Sequence, residues 1–214
     1  MAHGVTNREV MAIMESLCDT MEKEKDYLSE LDGAIGDGDH GVNMAKCFRE
    51  VRKKLPESRD KNVGAILRSV GMVVLNSVGG AMGALYGTFF LRLAQEAGEK
   101  PEIDLGDLVR MFQAAEKGIL DIGKAHVGDK TLIDTLSPAV RALEKAAQQG
   151  KSLSDAMSDF EKAAKRGMES TRDLVARIGR ASRLGERTKG HLDAGAASCY
   201  FILRAFSEGM KQAG

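Results

Sequence analysis

An acidic, glycine-rich segment near the start of the chain carries the residues best suited to chemistry. Three aspartates, Asp32, Asp37 and Asp39, and four glycines fall within residues 31–41. One glycine separates Asp37 from Asp39, so both carboxylates can converge on one cation, and Asp32 can join them from the preceding turn. Such carboxylates repel one another unless a cation lies between them. Mg²⁺ is usually held by a few carboxylates plus phosphate oxygens, so the segment predicts a metal site that serves a nucleotide.

The segment also admits other interpretations than a metal site. The aspartates of a solvated glycine loop can simply cap the next helix. An EF-hand calcium loop needs oxygen donors at positions one, three and five and a Glu at position twelve. Counted from Asp37, position five is Gly41 and position twelve is Phe48, which excludes that loop. For His40, the sequence favours a hydrogen-bonding or phosphate-facing role over metal ligation.

Three later segments also combine glycine with polar residues. Residues 78–83, Val-Gly-Gly-Ala-Met-Gly, offer main-chain N–H groups at a helix start, where the dipole favours an anion. Small residues there also permit close helix packing. Residues 123–131 end in Gly-Asp-Lys-Thr, which is not a Walker A motif, and a structural turn is an equal interpretation.

The third segment, residues 179–195, repeats arginine every three or four positions. A solvated basic face is the usual fate of such a run. Within it, Arg180 stands in Gly-Arg-Ala-Ser, where small neighbours admit a ligand close to the main chain. Arg180 is therefore the expected phosphate contact, and Asp193 is expected to cap the last helix and to touch the nucleotide.

Composition limits the remaining possibilities. We expect one domain over residues 1–214, because that length supports a single core. The 31 basic and 31 acidic residues balance, which argues against nucleic acid or an anionic membrane as partner. The charge is locally uneven, with seven acids against two lysines in residues 22–39 and eight Lys or Arg against three acids in residues 165–191. Brought together, these two fields would suit a metal polyphosphate.

Compartment is predicted from cysteines and hydropathy. Cys18, Cys47 and Cys199 are odd in number and far apart, which supports neither a disulfide framework nor a zinc cluster. The start of the chain lacks the pattern of a signal peptide, and no apolar run reaches the roughly 18 residues of a membrane span. We expect a cytoplasmic protein without a membrane partner.

Apolar residues recur at helical spacing through most of the chain, and no segment shows sustained alternation. The pattern predicts eight helices: Thr6 or Asn7 to about Leu31, Val42 to Leu55, Lys61 to Ser77, Ala84 to Ala97, Asp104 to Ile122, Thr131 to Gln149, Leu153 to about Ile178, and Ala194 to Met210. Thr6 and Glu9 form a capping-box pattern at the first start. An all-α, antiparallel up-and-down bundle or barrel follows. Alternate loops then share one end, which gathers the four unusual segments there.

The motif set resembles the L-subunit family of dihydroxyacetone kinases. The resemblance rests on Leu-Asp-x-x-Ile-Gly-Asp-Gly-Asp-His-Gly at 31–41, Val-Gly-Gly-Ala at 78–81, Gly-Asp-Lys-Thr at 128–131 and Gly-Arg-Ala-Ser-x-Leu-Gly-Glu-Arg at 179–187. It covers nearly the whole chain in order. It implies an eight-helix antiparallel barrel whose loops at one end bind ADP or ATP through two Mg²⁺ ions.

The resemblance also implies roles for residues. Three aspartates match the family's metal ligands: Asp32, Asp37 and Asp39. A second set falls where the family contacts nucleotide: His40, Gly41, Val42, Asn43, Ala81, Met82, Gly123, Leu132, Arg180, Asp193, Ala194 and Gly195. Arg180 is also the expected catalytic residue. Met82 and Ala194 depart from the family's usual serine and proline, so nucleotide affinity is expected to differ.

Partners follow from the resemblance as well. In this family a separate K subunit holds dihydroxyacetone through a histidine, and the L subunit presents the phosphoryl group. Some members keep ADP as a resident cofactor that a phosphotransferase-system M subunit rephosphorylates, and a free-standing L subunit fits this class better. The alternatives are an ATP-exchanging kinase subunit for another small keto-sugar and a nucleotide-dependent regulatory module without transferase activity. The sequence leaves a homodimer open.

Overall fold

The protein folds almost entirely into α-helices. The structure is a computed structural model that describes residues 4–213. Within that range lie nine α-helices: α1 (Asn7–Lys23), α2 (Lys25–Ile35), α3 (His40–Lys54), α4 (Val63–Ser77), α5 (Gly80–Ala97), α6 (Leu105–Gly123), α7 (Leu132–Gln148), α8 (Leu153–Ser170) and α9 (Ala194–Ala213). The only strands of the described part, β1 (Val5–Thr6) and β2 (Glu102–Ile103), form a short antiparallel pair. The all-α prediction is confirmed.

The first predicted helix is divided at Glu24. Glu24 has φ −89° and ψ 5°, which interrupts the helix between α1 and α2. Main-chain hydrogen bonds nevertheless continue across it, from Glu24 N to Thr20 O and from Leu28 N to Glu24 O, both 2.9 Å. The two helices thus replace the one predicted, which raises the count from eight to nine in residues 4–213. The capping box of Thr6 and Glu9 is present, with Thr6 N donating to Glu9 Oε2 at 2.6 Å.

The predicted seventh helix is too long at its C-terminus. The sequence predicts that it reaches about Ile178, but α8 ends at Ser170 and a 3₁₀ turn, Thr171–Asp173, follows. The fully buried Thr171 hydroxyl donates to Met168 O at 2.7 Å and accepts from Asp193 N at 3.1 Å. A threonine that bonds the preceding turn and a distant N–H competes with helix continuation. Arg180, Arg183 and Arg187 further along lie in a separate 3₁₀ segment, Arg180–Thr188, which is kinked at Gly185.

The helices pack in chain order around a closed ring. Each helix from α3 to α8 packs against the next, α9 packs against α1, and α1 packs against α3. Phe112 of α6 lies in the core, with ring centroids 6.1, 4.8 and 5.6 Å from those of Phe89, Phe160 and Phe206. The three partners come from α5, α8 and α9, so this aromatic cluster joins helices from opposite parts of the ring.

The ring fixes where the connections lie. The connection before α3, the starts of α5 and α7, and the segment between α8 and α9 all border one cavity. These are the four segments that helix alternation predicts at one end. No helix in residues 4–213 has both the length and the apolar character required to cross a membrane.

Candidate functional site

A cavity of about 350 Å³ opens at this end of the ring. Its wall consists of residues drawn from five stretches: 32–43, 79–86, 130–132, 178–181 and 193–195. Acidic side chains come from the first stretch and Arg180 from the fourth. The two oppositely charged parts of the sequence therefore meet across one space.

The three predicted metal ligands converge at the cavity edge. Asp32 lies in the last turn of α2, while Asp37 and Asp39 lie in the connection to α3. One carboxylate oxygen from each lies within 4.8 Å of the others. Gly38 has φ +76°, a left-handed conformation that favours glycine and turns the chain between the two aspartates. Three converging hard oxygen donors fit Mg²⁺ or Ca²⁺, which would offset their repulsion.

Arg180 lies opposite the carboxylates. Its guanidinium group forms an ion pair with the carboxylate of Asp37, and both side chains remain well exposed, at 64% and 46%. Arg180 begins its 3₁₀ segment directly after Gly179, which has φ +75°. A guanidinium group at this position can bind phosphate oxygens in the same cavity that the carboxylates border.

The glycine loop supplies the third wall. An added Cβ at Gly79 or Gly80 would meet no heavy atom within 4 Å, so the main chain faces open space there. Gly80 has φ +72° and begins α5. The N–H groups in the first turn of a helix have no intrahelical acceptor and suit an anion. Ala81 and Met82 follow on the cavity wall.

His40 begins α3 and contacts two other helices. Its Nε2 atom lies 2.8 Å from Ser198 Oγ, and Ser198 Oγ lies 2.7 Å from the Tyr86 hydroxyl. The main-chain N–H of His40 donates to Asp32 Oδ2 at 3.3 Å. Burial lowers the pKa of the imidazole, although Asp32 and Asp39 act in the opposite direction. The ring is thus held beside the carboxylate cluster by hydrogen bonds on both its main chain and side chain.

Asp193 caps α9, as the sequence predicts. Its Oδ2 atom accepts from Ala196 N at 2.7 Å. Burial raises the pKa of its carboxyl from 3.8 to about 6, while the Ala196 N–H and the Lys130 charge lower it and Asp134 and Asp32 raise it further. Asp193 is therefore a capping residue that also forms part of the cavity wall.

Lys130 is buried at the back of the cavity. Only 1% of this residue is exposed, and its Nζ donates to Thr171 O and His191 O, both at 2.5 Å. Its main chain has φ +63°, unusual for a residue with a side chain. Burial lowers the pKa of its ammonium group. Lys130 thus ties the start of α7 to both ends of the segment between α8 and α9.

The predicted nucleotide residues divide into two groups. Nine line the cavity: His40, Asn43, Ala81, Met82, Leu132, Arg180, Asp193, Ala194 and Gly195. Gly41, Val42 and Gly123 lie outside its lining. Gly41 packs α3 against Lys25 and Ser29 of α2, Val42 is 53% exposed, and Gly123 ends α6 beside the Leu85 side chain.

The sequence does not single out Tyr86 or Ser198, and for the 123–131 segment that contains Lys130 it favours a structural turn and a ligand-binding loop equally. Tyr86 and Ser198 lie on α5 and α9, and their contact depends on how those helices cross, which no local pattern specifies. Lys130 stands in the Gly-Asp-Lys-Thr motif, so its position was visible, but its burial was not.

Fold and cavity together define an all-helical ring protein with a polar site in its end loops. Residues 34–208 match the model of the DAK2 domain. The chain belongs to the DAK2 domain family.

Two curated relatives match along most of their length. The PEP-dependent dihydroxyacetone kinase, ADP-binding subunit DhaL, of Escherichia coli (strain K12) is 42% identical over 194 residues, covering 91% of this chain and 92% of that protein. The PTS-dependent dihydroxyacetone kinase, ADP-binding subunit DhaL, of Lactococcus lactis subsp. lactis (strain IL1403) is 38% identical over 188 residues, covering 88% and 90%.

A solved structure has the same fold. The native form of the dihydroxyacetone kinase of C. freundii superimposes with a TM-score of 0.73 at 24% identity. The match covers 97% of this chain but only 35% of that one, so this chain spans about a third of the larger kinase. A second structure of that kinase, in complex with AMP-PNP and Mg²⁺, gives a TM-score of 0.69 at 23% identity.

Proposed function

We propose that this chain is the nucleotide-binding subunit of a dihydroxyacetone kinase. It binds ADP or ATP with Mg²⁺ and passes a phosphoryl group to dihydroxyacetone held on a separate K subunit. The observation that supports this most directly is the cavity where three converging carboxylates face Arg180 and a glycine-rich helix start. Relatives named as ADP-binding kinase subunits support the same conclusion.

The finer proposal concerns the source of the phosphoryl group. The two relatives are named as PEP-dependent and PTS-dependent, and both as ADP-binding. We therefore propose that ADP stays on this chain as a resident cofactor and is rephosphorylated by a phosphotransferase-system M subunit. The protein would then alternate between two partners, one that delivers the phosphoryl group and one that holds the sugar.

The residues divide the work of the site between them. The metal, two Mg²⁺ ions in our proposal, would be held by Asp32, Asp37 and Asp39. Asp32 also fixes the start of α3, because its carboxylate accepts a hydrogen bond from His40 N. When bound, Mg²⁺ would supply positive charge that offsets the negative charge of the phosphate oxygens. The first turn of α5 presents main-chain N–H groups to the phosphates. Asp193 and Lys130 keep the opposite wall in place through hydrogen bonds from their side chains to main-chain groups.

Arg180 would act on the transferring group. Phosphoryl transfer depends mainly on positioning and on donors aimed at developing charge. A guanidinium group offers several N–H donors in a fixed plane. Arg180 already forms an ion pair with a carboxylate oxygen of Asp37, so it would exchange that oxygen for a phosphate oxygen when the ligand binds.

The first experiment measures ADP binding with and without Mg²⁺. Asp37→Asn is expected to abolish the Mg²⁺-dependent part of the affinity and to leave the helical content unchanged. The matched control is Asp26→Asn in the first turn of α2, whose carboxylate is 94% exposed and pairs with Lys25 at 3.5 Å. Unchanged affinity in Asp37→Asn would remove the metal assignment.

The second experiment measures transfer to dihydroxyacetone. The protein is mixed with a K subunit and either ATP or a PEP-driven M-type donor, and sugar phosphate is measured. Product with the M-type donor alone, together with ADP that survives gel filtration, supports the resident cofactor. Product with ATP alone supports an exchanging kinase subunit. If neither donor yields sugar phosphate, the protein is a regulatory nucleotide-binding module and the proposed transferase activity is wrong.

A further inference from the structure

Four polar atoms form one connected group at the cavity wall, where His40, Tyr86 and Gly195 line the cavity and Ser198 lies behind them. His40 Nε2 lies 2.8 Å from Ser198 Oγ, and Ser198 Oγ lies 2.7 Å from the Tyr86 hydroxyl. The main-chain oxygen of Gly195 lies 3.0 Å from the Tyr86 hydroxyl and 3.1 Å from Ser198 Oγ. Ser198 is fully buried and Tyr86 is 2% exposed, so bulk water does not replace these partners.

The number of hydrogens in this group decides the form of the imidazole. Tyr86 and Ser198 contribute one hydroxyl hydrogen each, and the Gly195 oxygen contributes none. If Nε2 carries a hydrogen, three of the four contacts become hydrogen bonds. If Nε2 is bare, Ser198 must donate to it, and only two contacts are filled. Buried polar atoms favour the arrangement that satisfies more of them.

We propose that Ser198 is the positioning residue that holds His40 with a hydrogen on Nε2, which leaves Nδ1 of the neutral ring as a hydrogen-bond acceptor in the site. Tyr86 belongs to this group but does not determine which nitrogen of the His40 ring carries the hydrogen. Without the Tyr86 hydroxyl, Nε2–H still fills both remaining contacts, with Ser198 donating to Gly195 O. A bare Nε2 would fill only one.

This form of the ring selects the chemistry of the ligand group that it contacts. A lone pair on Nδ1 accepts an O–H hydrogen and repels an anionic oxygen. Given the nucleotide function proposed above, His40 contacts a hydroxyl group of the nucleotide sugar or an ordered water molecule, and not a bare phosphate oxygen. His40 then contributes to ligand orientation, while phosphate charge is offset by other groups.

Imidazole nitrogen NMR on the full-length ¹⁵N-labelled protein at pH 8 tests the proposal. The His40 signals are assigned from their absence in His40→Gln. We expect a protonated Nε2 and an unprotonated Nδ1 in the wild type and in Tyr86→Phe. Ser198→Ala is expected to lose this preference. A bare Nε2 in the wild type, or an unchanged spectrum in Ser198→Ala, overturns it.

A second serine of α9 provides the control for folding. Ser207 is also fully buried and donates to Met157 O at 2.9 Å, but it contacts Glu161 in place of His40. Ser207→Ala is therefore expected to leave the His40 signals unchanged. These measurements need no nucleotide, so they stand or fall separately from the proposed function.

Ligand addition separates the two sources of the hydroxyl group. ADP with Mg²⁺ is compared with pyrophosphate and Mg²⁺, which lacks the sugar. A change at Nδ1 with ADP but not with pyrophosphate assigns the contact to the nucleoside, and its loss with 2′,3′-dideoxy-ADP assigns it to a sugar hydroxyl. A change with both ADP and pyrophosphate assigns it to water. In either case Nδ1 is expected to stay unprotonated. Protonation of Nδ1 on binding would show a phosphate contact and overturn the acceptor role.

Discussion

Arg180 forms an ion pair with Asp37, and this contact joins the basic segment after α8 to the acidic connection before α3. Both side chains are well exposed, so the pair contributes little to stability. Arg180→Gln is expected to leave the free energy of unfolding nearly unchanged. It should weaken Mg²⁺-dependent ADP binding about tenfold, or about 1.4 kcal/mol, because the substitution removes the cation proposed to bind phosphate. Isothermal titration calorimetry measures the change.

Arg183→Gln is the control for that experiment. Arg183 belongs to the same 3₁₀ segment, is exposed, and does not line the cavity. The two substitutions remove the same charge. Equal losses of affinity in both would indicate a general field effect and would contradict a direct role for Arg180.

The raised pKa of Asp193 predicts a pH-dependent stability. Because burial raises the pKa from 3.8 to about 6, the folded state binds more protons than the unfolded state between these values. The contribution is therefore fully present below pH 3.8 and is lost as the pH rises through 6. Asp193→Asn keeps a capping oxygen without the charge. It should raise the free energy of unfolding at pH 7.5 by up to roughly 3 kcal/mol, and the gain should shrink toward pH 5.

Urea denaturation between pH 5 and pH 8 measures that gain. Asp193→Ala removes the cap together with the charge, so it should be less stable than Asp193→Asn by about 1 kcal/mol at every pH. A gain that does not vary with pH would show that the carboxyl is not responsible.

The hydrogen bonds of Lys130 connect the start of α7 to the segment between α8 and α9, and this connection can be tested. Lys130→Met removes hydrogen bonds to Thr171 O and His191 O and leaves both carbonyls with one donor fewer. We expect the free energy of unfolding to fall by about 2 kcal/mol and the segment between α8 and α9 to become more sensitive to proteolysis. Lys124→Met is the matched control, since Lys124 is also left-handed, with φ 50°, but is exposed. Equal losses of stability in Lys130→Met and Lys124→Met would contradict a stabilising role for the Lys130 hydrogen bonds.

For Gly41, a role in packing α3 against α2 can be distinguished from a role in nucleotide binding. A Cβ at this position would overlap Lys25 O and lie 2.7 Å from Ser29 N, so Gly41→Ala should force α3 away from α2 and lower the melting temperature. Gly33 lies in α2, and its added Cβ would come no closer than 3.9 Å to a neighbouring atom. Gly33→Ala should therefore be neutral or stabilising, by up to about 1 kcal/mol. Thermal unfolding without ligand distinguishes the packing role from a nucleotide contact.

Features that depend on local spacing were predictable from the sequence. The Thr6 capping box and the Asp193 cap are patterns of a few residues. The meeting of four segments at one end followed from helix alternation, and it placed Asp32, Asp37 and Asp39 opposite Arg180.

Features that depend on tertiary contact were not predictable. Glu24 divides the first helix although no glycine or proline marks the site. The end of α8 depends on the contact of Thr171 with Asp193, which lies 22 residues further along. Ser198 and Tyr86 meet His40 only because three helices pack together. In each case the deciding partner is distant in sequence.

Ring closure has a consequence for synthesis of the protein. The cavity wall includes residues 32–43 from the start of the chain and residues 193–195 near its end. A growing chain on the ribosome therefore has a complete acidic cluster long before the opposite wall exists. The cavity forms only after α9 has left the exit tunnel and packed against α1. If ADP is the resident cofactor proposed above, a nascent or C-terminally truncated chain should be unable to retain it, and retained ADP would mark completed folding.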